Sequence, residues 1–496
     1  MSSPILKHIF TSLQLNSGAG RAVYLQLAES ILGLIKNGKL RSSQQLPPTR
    51  ELAAFLQLNR ITVSKAYEEL QMQGWLESFV GKGTFVTAHL PEGDPRSLPK
   101  STARSGLKKA GFQIQEREYL DQKIVTVDCP LHLDDGFPDV KLAPLKELYR
   151  SYRAQLSRGS LYSRFGAYSS PFGSLHYRDA LSAYLNETRG MKTTPANVLS
   201  VNGTVMGLNL VCSALIKPGD IVLSGIPGWG RAEKNFMHAG AKHIGIPVDE
   251  HGIVVDAVER ICRRRKIRLV YVTAHHHYPT TVSLKIDRRL KLLALAKQYG
   301  FIILEDDYDF DFHYAHKPLL PLAGTDEQGM VIYCGSFSKS FSPAFRMGYL
   351  VAAENVIEYL GRVRMLIDRQ GDHILDNAMG DLLNDGTIQR YLRKTITVYR
   401  ERRDVFCELL NEHLGDAAAF SVPEGGMSVW VRFAKSIDLH KLSISARARG
   451  LFISDGRAFR YPAFDENALR LGFASSTTAE LEQCVRILSQ LIHSKH

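Results

Sequence analysis

From about residue 127 onward, short apolar runs alternate with amphipathic stretches long enough for helices; DIVLSGI, KHIGIPV, RLVYVTA, FIILEDD, MVIYCGSF and RMGYLVA are the apolar runs. This alternation leaves few architectures open. It predicts strands of a mainly parallel sheet covered by helices, with a ligand site beyond the carboxyl ends of the strands. The expected class for this part is α/β, with a smaller α+β lobe from about residue 380.

The chain has 496 residues, too many for one ordinary core. Residues 89–126 include PEGDPRSLPKSTARSGLKKAG, whose Pro, Gly, Ser and charge suit a linker that buries little apolar surface. Residues 1–88 and 127–496 are therefore expected to be separate domains. A hydrophobic share of 44% with no long apolar run argues against a membrane span, and the first residues lack the pattern of an export signal. The six cysteines show no disulfide or zinc spacing, so a reducing cytoplasm is expected. The net charge of +12 permits a polyanionic partner, and the position of the charge has to decide.

In the first domain, Leu27, Ile31, Leu34 and Ile35 line one helical face. A Pro-Pro stop and a Thr49 cap then predict a short helix with Leu52, Ala53 and Leu56 inward. After a turn at Leu58 and Asn59 comes a helix with Val63, Ala66, Tyr67 and Leu70 inward. WLESFV and TFVTA around GKG read as a two-stranded wing, so the domain is mainly α with a small β hairpin. A helix-turn-helix inserts the N-terminal end of its second helix into the major groove. Arg60, Thr62, Ser64 and Lys65 stand on the outward face there, Arg50 opens the supporting helix, and Lys82 with Gly83 marks the wing tip. A plain helical domain with solvated charges is the alternative. The strings YLQLAESILGLIKNGKL, LPPTRELA, RITVSKAYEEL and GKGTFV resemble the GntR family of winged-helix regulators. The resemblance implies that Arg50, Arg60, Thr62 and Gly83 approach double-stranded DNA.

In the second domain, Lys339 follows an apolar strand and sits among hydroxyls. Ser336, Ser338 and Arg346 suit a phosphate dianion, and Gly203, Thr204 and Val205 stand at a helix N-terminus that favours the same anion. Asp306, at the end of FIILEDD, suits a pyridinium nitrogen, and Tyr308 a phenolic oxygen; a metal site or a solvated loop is the other reading of that acidic run. Trp229 suits ring stacking or a core, and Arg231 a substrate or the surface. A lysine held against an aldehyde cofactor, pyridoxal 5′-phosphate (PLP), needs this set of groups.

In this order the residues resemble the fold-type I, class I/II aminotransferases over about 127–490. The resemblance makes Lys339 the residue forming the Schiff base (internal aldimine) with PLP, Asp306 and Tyr308 ring partners, and Thr204, Ser336 and Arg346 phosphate ligands, with Trp229 stacking. NALRLGFAS points to Arg470 as a clamp for an α-carboxylate. Tyr168 matches a residue that reaches the neighbouring subunit's cofactor, which implies a homodimer. A GntR head on such a body resembles the MocR/GabR regulators. Departures fall in TAHHHYPTT: Ala274, His275, His277 and Thr281 replace the group's usual residues, and Tyr278 stands where classical enzymes have asparagine. Adjacent histidines on a strand would face opposite ways, so lining of the pocket rather than metal binding is expected for this run.

The expected protein is a PLP-dependent regulator that senses an amino-acid-like amine, or PLP itself, and binds an operator with repeated half-sites. A working aminotransferase with an accessory DNA-binding head is the alternative.

Overall fold

Leu27, Ala28, Ile31, Leu34 and Ile35 recur at helical spacing, and in the computed structural model they are the buried stripe of a helix spanning Val23–Lys36. The structure describes residues 9–10, 15, 22–88, 107–120, 127–157, 166–314, 319–461, 464 and 466–493. Two compact units divide between Gln115 and Glu116. Of the expected linker, residues 89–106 and 121–126 lie outside the described set.

In the first unit, helices Thr49–Leu56 and Arg60–Met72 pack Leu52, Ala53, Val63, Ala66, Tyr67 and Leu70 against that stripe. The expected Thr49 cap is not made. Pro48 holds the N-cap position and Thr49 is already helical, because a proline there fixes an extended entry to the helix. The next helix is capped by Asn59, whose side chain accepts from the Ile61 N–H at 2.9 Å. Strands β1 (Leu76–Phe79) and β2 (Gly83–Val86) pair antiparallel from Leu76↔Val86 to Phe79↔Gly83, forming the wing.

The second unit carries β3 (Leu131–His132) and then an eight-stranded sheet: β4 (Val198–Val201), β5 (Ile221–Ile226), β6 (Lys242–Asp249), β7 (Gly252–Ile253), β8 (Leu269–Val272), β9 (Ile302–Asp307), β10 (Val331–Ser336) and β11 (Gly348–Val351). Their order is β4-β11-β10-β9-β8-β5-β6-β7. The six apolar runs became β5, β6, β8, β9, β10 and β11. Pairing is parallel from β10 through β6, whereas β11 runs antiparallel to both of its neighbours and β7 to β6. Along β8 and β9, Tyr271 and Leu304 enter one apolar cluster while Val270, Val272 and Ile303 enter another, so both faces of the sheet are covered.

The smaller lobe is an antiparallel sheet of β12 (Ala418–Phe420), β13 (Ser428–Phe433) and β15 (Ala468–Gly472). Strand β14 (Leu451–Phe452) pairs parallel with β3, tying the segment near residue 131 to the lobe that ends the chain. All six cysteines are free. Among the described residues no helix is long and apolar enough to cross a membrane.

Candidate functional site

The parallel strands β9 and β10 end side by side, with Asp306 opposite Cys334 in register. Strand β10 delivers Ser336 directly into the short helix Phe337–Ser340, which carries Lys339. Strand β4 leads to Gly203, the N-cap of helix Thr204–Leu215. These ends open on a cavity of about 510 Å³. Its lining includes Thr204, Val205, Trp229, Arg231, Tyr278, Asp306, Tyr308, Ser336, Ser338, Lys339, Arg346 and Arg470, each singled out from the sequence.

At one end the groups suit an anion. Gly203 has φ +79°, and a Cβ there would lie 2.5 Å from an Arg346 guanidinium nitrogen, so only glycine admits the close packing of guanidinium on backbone. Gly203 thus shapes the site without lining it. Arg346, itself left-handed at φ +52°, donates to the Asn202 carbonyl at 3.4 Å. Gly203 provides no side-chain cap, which leaves the first N–H groups of its helix for a ligand. Ser336 Oγ accepts from the Ser338 N–H at 3.0 Å and donates to the Met347 carbonyl at 3.2 Å.

Further in, Asp306 Oδ2 accepts from the Tyr271 hydroxyl at 2.7 Å, while Oδ1 is buried with no partner. Burial raises its pKa to about 7 against the pull of Tyr271. A buried carboxylate with one oxygen free is suited to a cationic ring N–H. Lys339 Nζ donates to the Gly136 carbonyl at 2.7 Å and lies 4.4 Å from the centre of the Phe137 ring. Burial lowers its pKa, with Asp135 and Asp134 acting in opposition. The free oxygen of Asp306, the cradle at Gly203 and the half-buried amine together fit PLP: Arg346, Ser336, Ser338 and the helix N-terminus would hold its phosphate, Asp306 would face its ring nitrogen and Lys339 its aldehyde.

At the other end, β15 brings Arg470 into the wall with its side chain 2% exposed. It donates to the Pro279 carbonyl at 3.1 Å and contacts the Tyr308 hydroxyl at 3.5 Å. Its Nε lies 3.1 Å from Asp135 Oδ1, at ion-pair distance but off the axis of a hydrogen bond. Burial disfavours its charge, yet Tyr308 and Asp135 more than offset this and raise its pKa. Tyr278 donates to Asp135 Oδ2 at 3.0 Å, and Tyr308 to the His276 carbonyl at 3.0 Å. Asp135, Phe137, Tyr271 and Pro343 line the cavity without having been picked from the sequence. The adjacent Asp134 turns away: it accepts from the Gly136 and Phe137 N–H groups at 2.8 and 2.9 Å and from Ser475, fixing the turn that aims Asp135 inward.

Tyr168 is 74% exposed, away from the cavity, with Arg369 4.2 Å from the centre of its ring. The histidine run does not line the cavity, which corrects the expectation. His275, His276 and His277 lie past the end of β8 and are buried. His275 pairs with Asp307 at 3.0 Å, His276 with Asp309 at 2.8 Å, and His277 bonds the Pro227 carbonyl at 2.9 Å. Each buried imidazole thus has at least one partner, although His276 Nε2 is left without a hydrogen bond. Burial lowers the pKa of His277 to about 4. Among the described residues no cluster suits a metal ion.

In the first unit, Arg50, Arg60, Lys65, Lys82 and Gly83 are exposed, and Thr62 and Ser64 are partly so. Arg60 Nε lies 3.5 Å from Thr49 Oγ1, tying the second helix to the start of the first. Lys65 Nζ sits 6.0 Å from the centre of the Tyr24 ring. The Lys82 carbonyl accepts from Gln45 at 2.8 Å, holding the wing turn. Ile61 is 64% exposed beside Arg60, an apolar group on the same surface that falls outside the buried spacing of its helix.

The fold and cavity define a chain that joins a winged helix-turn-helix to a lysine-centred, PLP-type α/β domain. Residues 151–488 match the family described as aminotransferase class I and II, and the chain belongs to it. Residues 23–86 match the bacterial regulatory proteins of the gntR family, so the whole has the layout of the MocR-type regulators. Among similar proteins, the probable rhizopine catabolism regulatory protein MocR of Rhizobium meliloti is 29% identical, with 95% of this chain and 96% of that protein covered. The HTH-type transcriptional regulator TauR of Rhodobacter capsulatus is 28% identical over 97% and 99%. Among solved structures, kynurenine aminotransferase of Pyrococcus horikoshii superposes with TM-score 0.69 at 25% identity, covering 77% of this chain and 98% of that one.

Proposed function

We propose that the protein is a cytoplasmic, homodimeric, PLP-dependent transcriptional regulator that senses an amino-acid-like amine at Lys339 and binds an operator with repeated half-sites. One observation carries the reading. A chain with a DNA-binding head also brings a half-buried lysine, a half-satisfied Asp306 and the Arg346 anion cup into one cavity. PLP, when bound, supplies an aldehyde carbon open to attack by amines. Arg346 and the helix at Thr204 would anchor its phosphate, Asp306 would hold the proton on its ring nitrogen and Trp229 would stack on its ring. Lys339 would be the protein amine whose place a ligand amine takes. Regulation then requires that the effector bind two conformations of the body unequally.

The test is spectroscopic. Purified protein shows an absorbance band near visible wavelengths that Lys339→Ala abolishes and that the effector shifts; no such band sinks the reading. The retained cofactor set also supports a second reading, a working aminotransferase with an accessory head. Sustained turnover of an amino donor with a keto acid would establish it, whereas a spectral change without product release supports the sensor.

A further inference from the structure

The head carries an exposed apolar group where its cations gather. In helix Arg60–Met72 the buried face is Val63, Ala66, Tyr67 and Leu70. Ile61 is 64% exposed and joins neither the apolar core of the head nor the side chains packed on it. Single exposed apolar groups are common on protein surfaces, so exposure alone does not mark a site. The surroundings of this one do. Asn59 caps the helix and accepts from the Ile61 N–H at 2.9 Å, which holds Ile61 in the first turn, the end that a helix-turn-helix inserts into the major groove. Ser64 and Lys65 stand at i+3 and i+4 from it, on the same helical face. Arg60 precedes it in the chain, and Arg50 is exposed at the start of the preceding helix.

Along the major groove every base edge offers hydrogen-bonding atoms, and thymine alone adds a carbon, its C5-methyl. An isoleucine side chain neither donates nor accepts. Against guanine, adenine or cytosine it would cover polar atoms and leave them unpaired, at a cost in binding, whereas against thymine it takes a methyl out of water. Local structure does not call for isoleucine here, because serine has a similar helix propensity and would be as well suited to an exposed first turn. Cations that reach phosphates attract any sequence. Ile61 adds selection.

We infer that Ile61 is a specificity-determining residue of the head: it packs on the C5-methyl of a thymine in each operator half-site and disfavours the other bases there. This rests on the reading of the head as a binder of double-stranded DNA.

The experiment uses full-length protein and the duplex that it enriches from a random-sequence pool. Each thymine of that duplex is replaced by deoxyuridine, which pairs alike and lacks only the methyl, and dissociation constants are read by fluorescence anisotropy at fixed salt. For wild type, one such replacement in a half-site weakens binding about fourfold, and the matching pair in both half-sites about fifteenfold, as expected for one buried methyl at each. Ile61→Ser binds the thymine duplex about fifteenfold more weakly and is indifferent to those replacements, while Ile61→Val, still branched and apolar, keeps the sensitivity. A wild type indifferent to every replacement overturns the inference. So does an Ile61→Ser variant with wild-type sensitivity, because another group then meets the methyl. Should Ile61→Ser fail to fold, Ile61→Gln, a better helix former, takes its place under the same criteria. A pool from which no sequence is enriched defeats the DNA-binding reading and this inference with it, whereas a specific duplex bound without dependence on any methyl defeats this inference only.

Discussion

The two units hold their charges in opposite ways. In the body, Asp306 and Arg470 are buried and Lys339 is half-buried, and each is met by a named partner: Tyr271, Asp135 and the Gly136 carbonyl. In the head, Arg50, Arg60, Lys65 and Lys82 stand in solvent and keep mainly peripheral contacts. The difference follows the ligand each suits. A small cofactor is held by a few groups fixed in a medium where an unpaired charge is costly. A nucleic-acid backbone offers many phosphates, and mobile cations that release counterions suffice for much of the affinity. One site trades stability for precision; the other keeps its stability and depends on salt.

The sharpest way to break this contrast is pH. Burial holds Asp306 at about 7 against an ordinary value near 4, so the folded protein without cofactor binds a proton there that the unfolded chain releases. Stability is therefore undiminished below about pH 4 and is lost as pH rises toward and through 7, by up to about 4 kcal/mol. Urea unfolding of the cofactor-free protein at pH 5 and pH 8 should show this loss, and Asp306→Asn should remove most of it. An unchanged pH slope would mean that Asp306 is not desolvated as described.

Next in size is Leu70→Ala in the core of the head, expected to cost about 3 kcal/mol. Operator binding should fail at a lower temperature while the cofactor band and the melting of the body stay put; a joint shift would show that the two units unfold together. Arg346→Ala removes the charged phosphate donor and should weaken PLP about 100-fold, measured by titration of the band, with operator affinity of cofactor-free protein unaltered. The smallest effect is expected from Arg60→Ala. Operator affinity should fall about tenfold without a change in the band, and the slope of log affinity against log salt should drop by about one if the contact is to phosphate.

Much of this was legible because the signals are local. Lys339 with its serines and Arg346 occupies one strand-to-turn stretch, and Asp306 closes an apolar run whose exit the parallel sheet fixes. In the head, the spacing of Val63, Ala66, Tyr67 and Leu70 marked the buried face of the helix. Thr49 misled because a hydroxyl before a helix resembles a cap, whereas Pro48 already set the entry. The histidine run misled differently. HHH after an apolar run reads as continuing strand, but β8 ends at Val272, and the rings turn to Asp307 and Asp309, which the β8–β9 pairing brings alongside.

By itself the sequence determined two kinds of domain, the strand order of chemistry along the chain and the cofactor set around Lys339, since periodicity and strand ends are properties of neighbours in the chain. Only the tertiary structure decided which of the adjacent acids Asp134 and Asp135 faces the cavity, and that Arg470 arrives there already paired. Those outcomes depend on the pairing of β3 with β14 and on β15 crossing to the same wall, contacts between residues more than 300 positions apart in the chain. Long-range pairing of that kind leaves no local pattern to read.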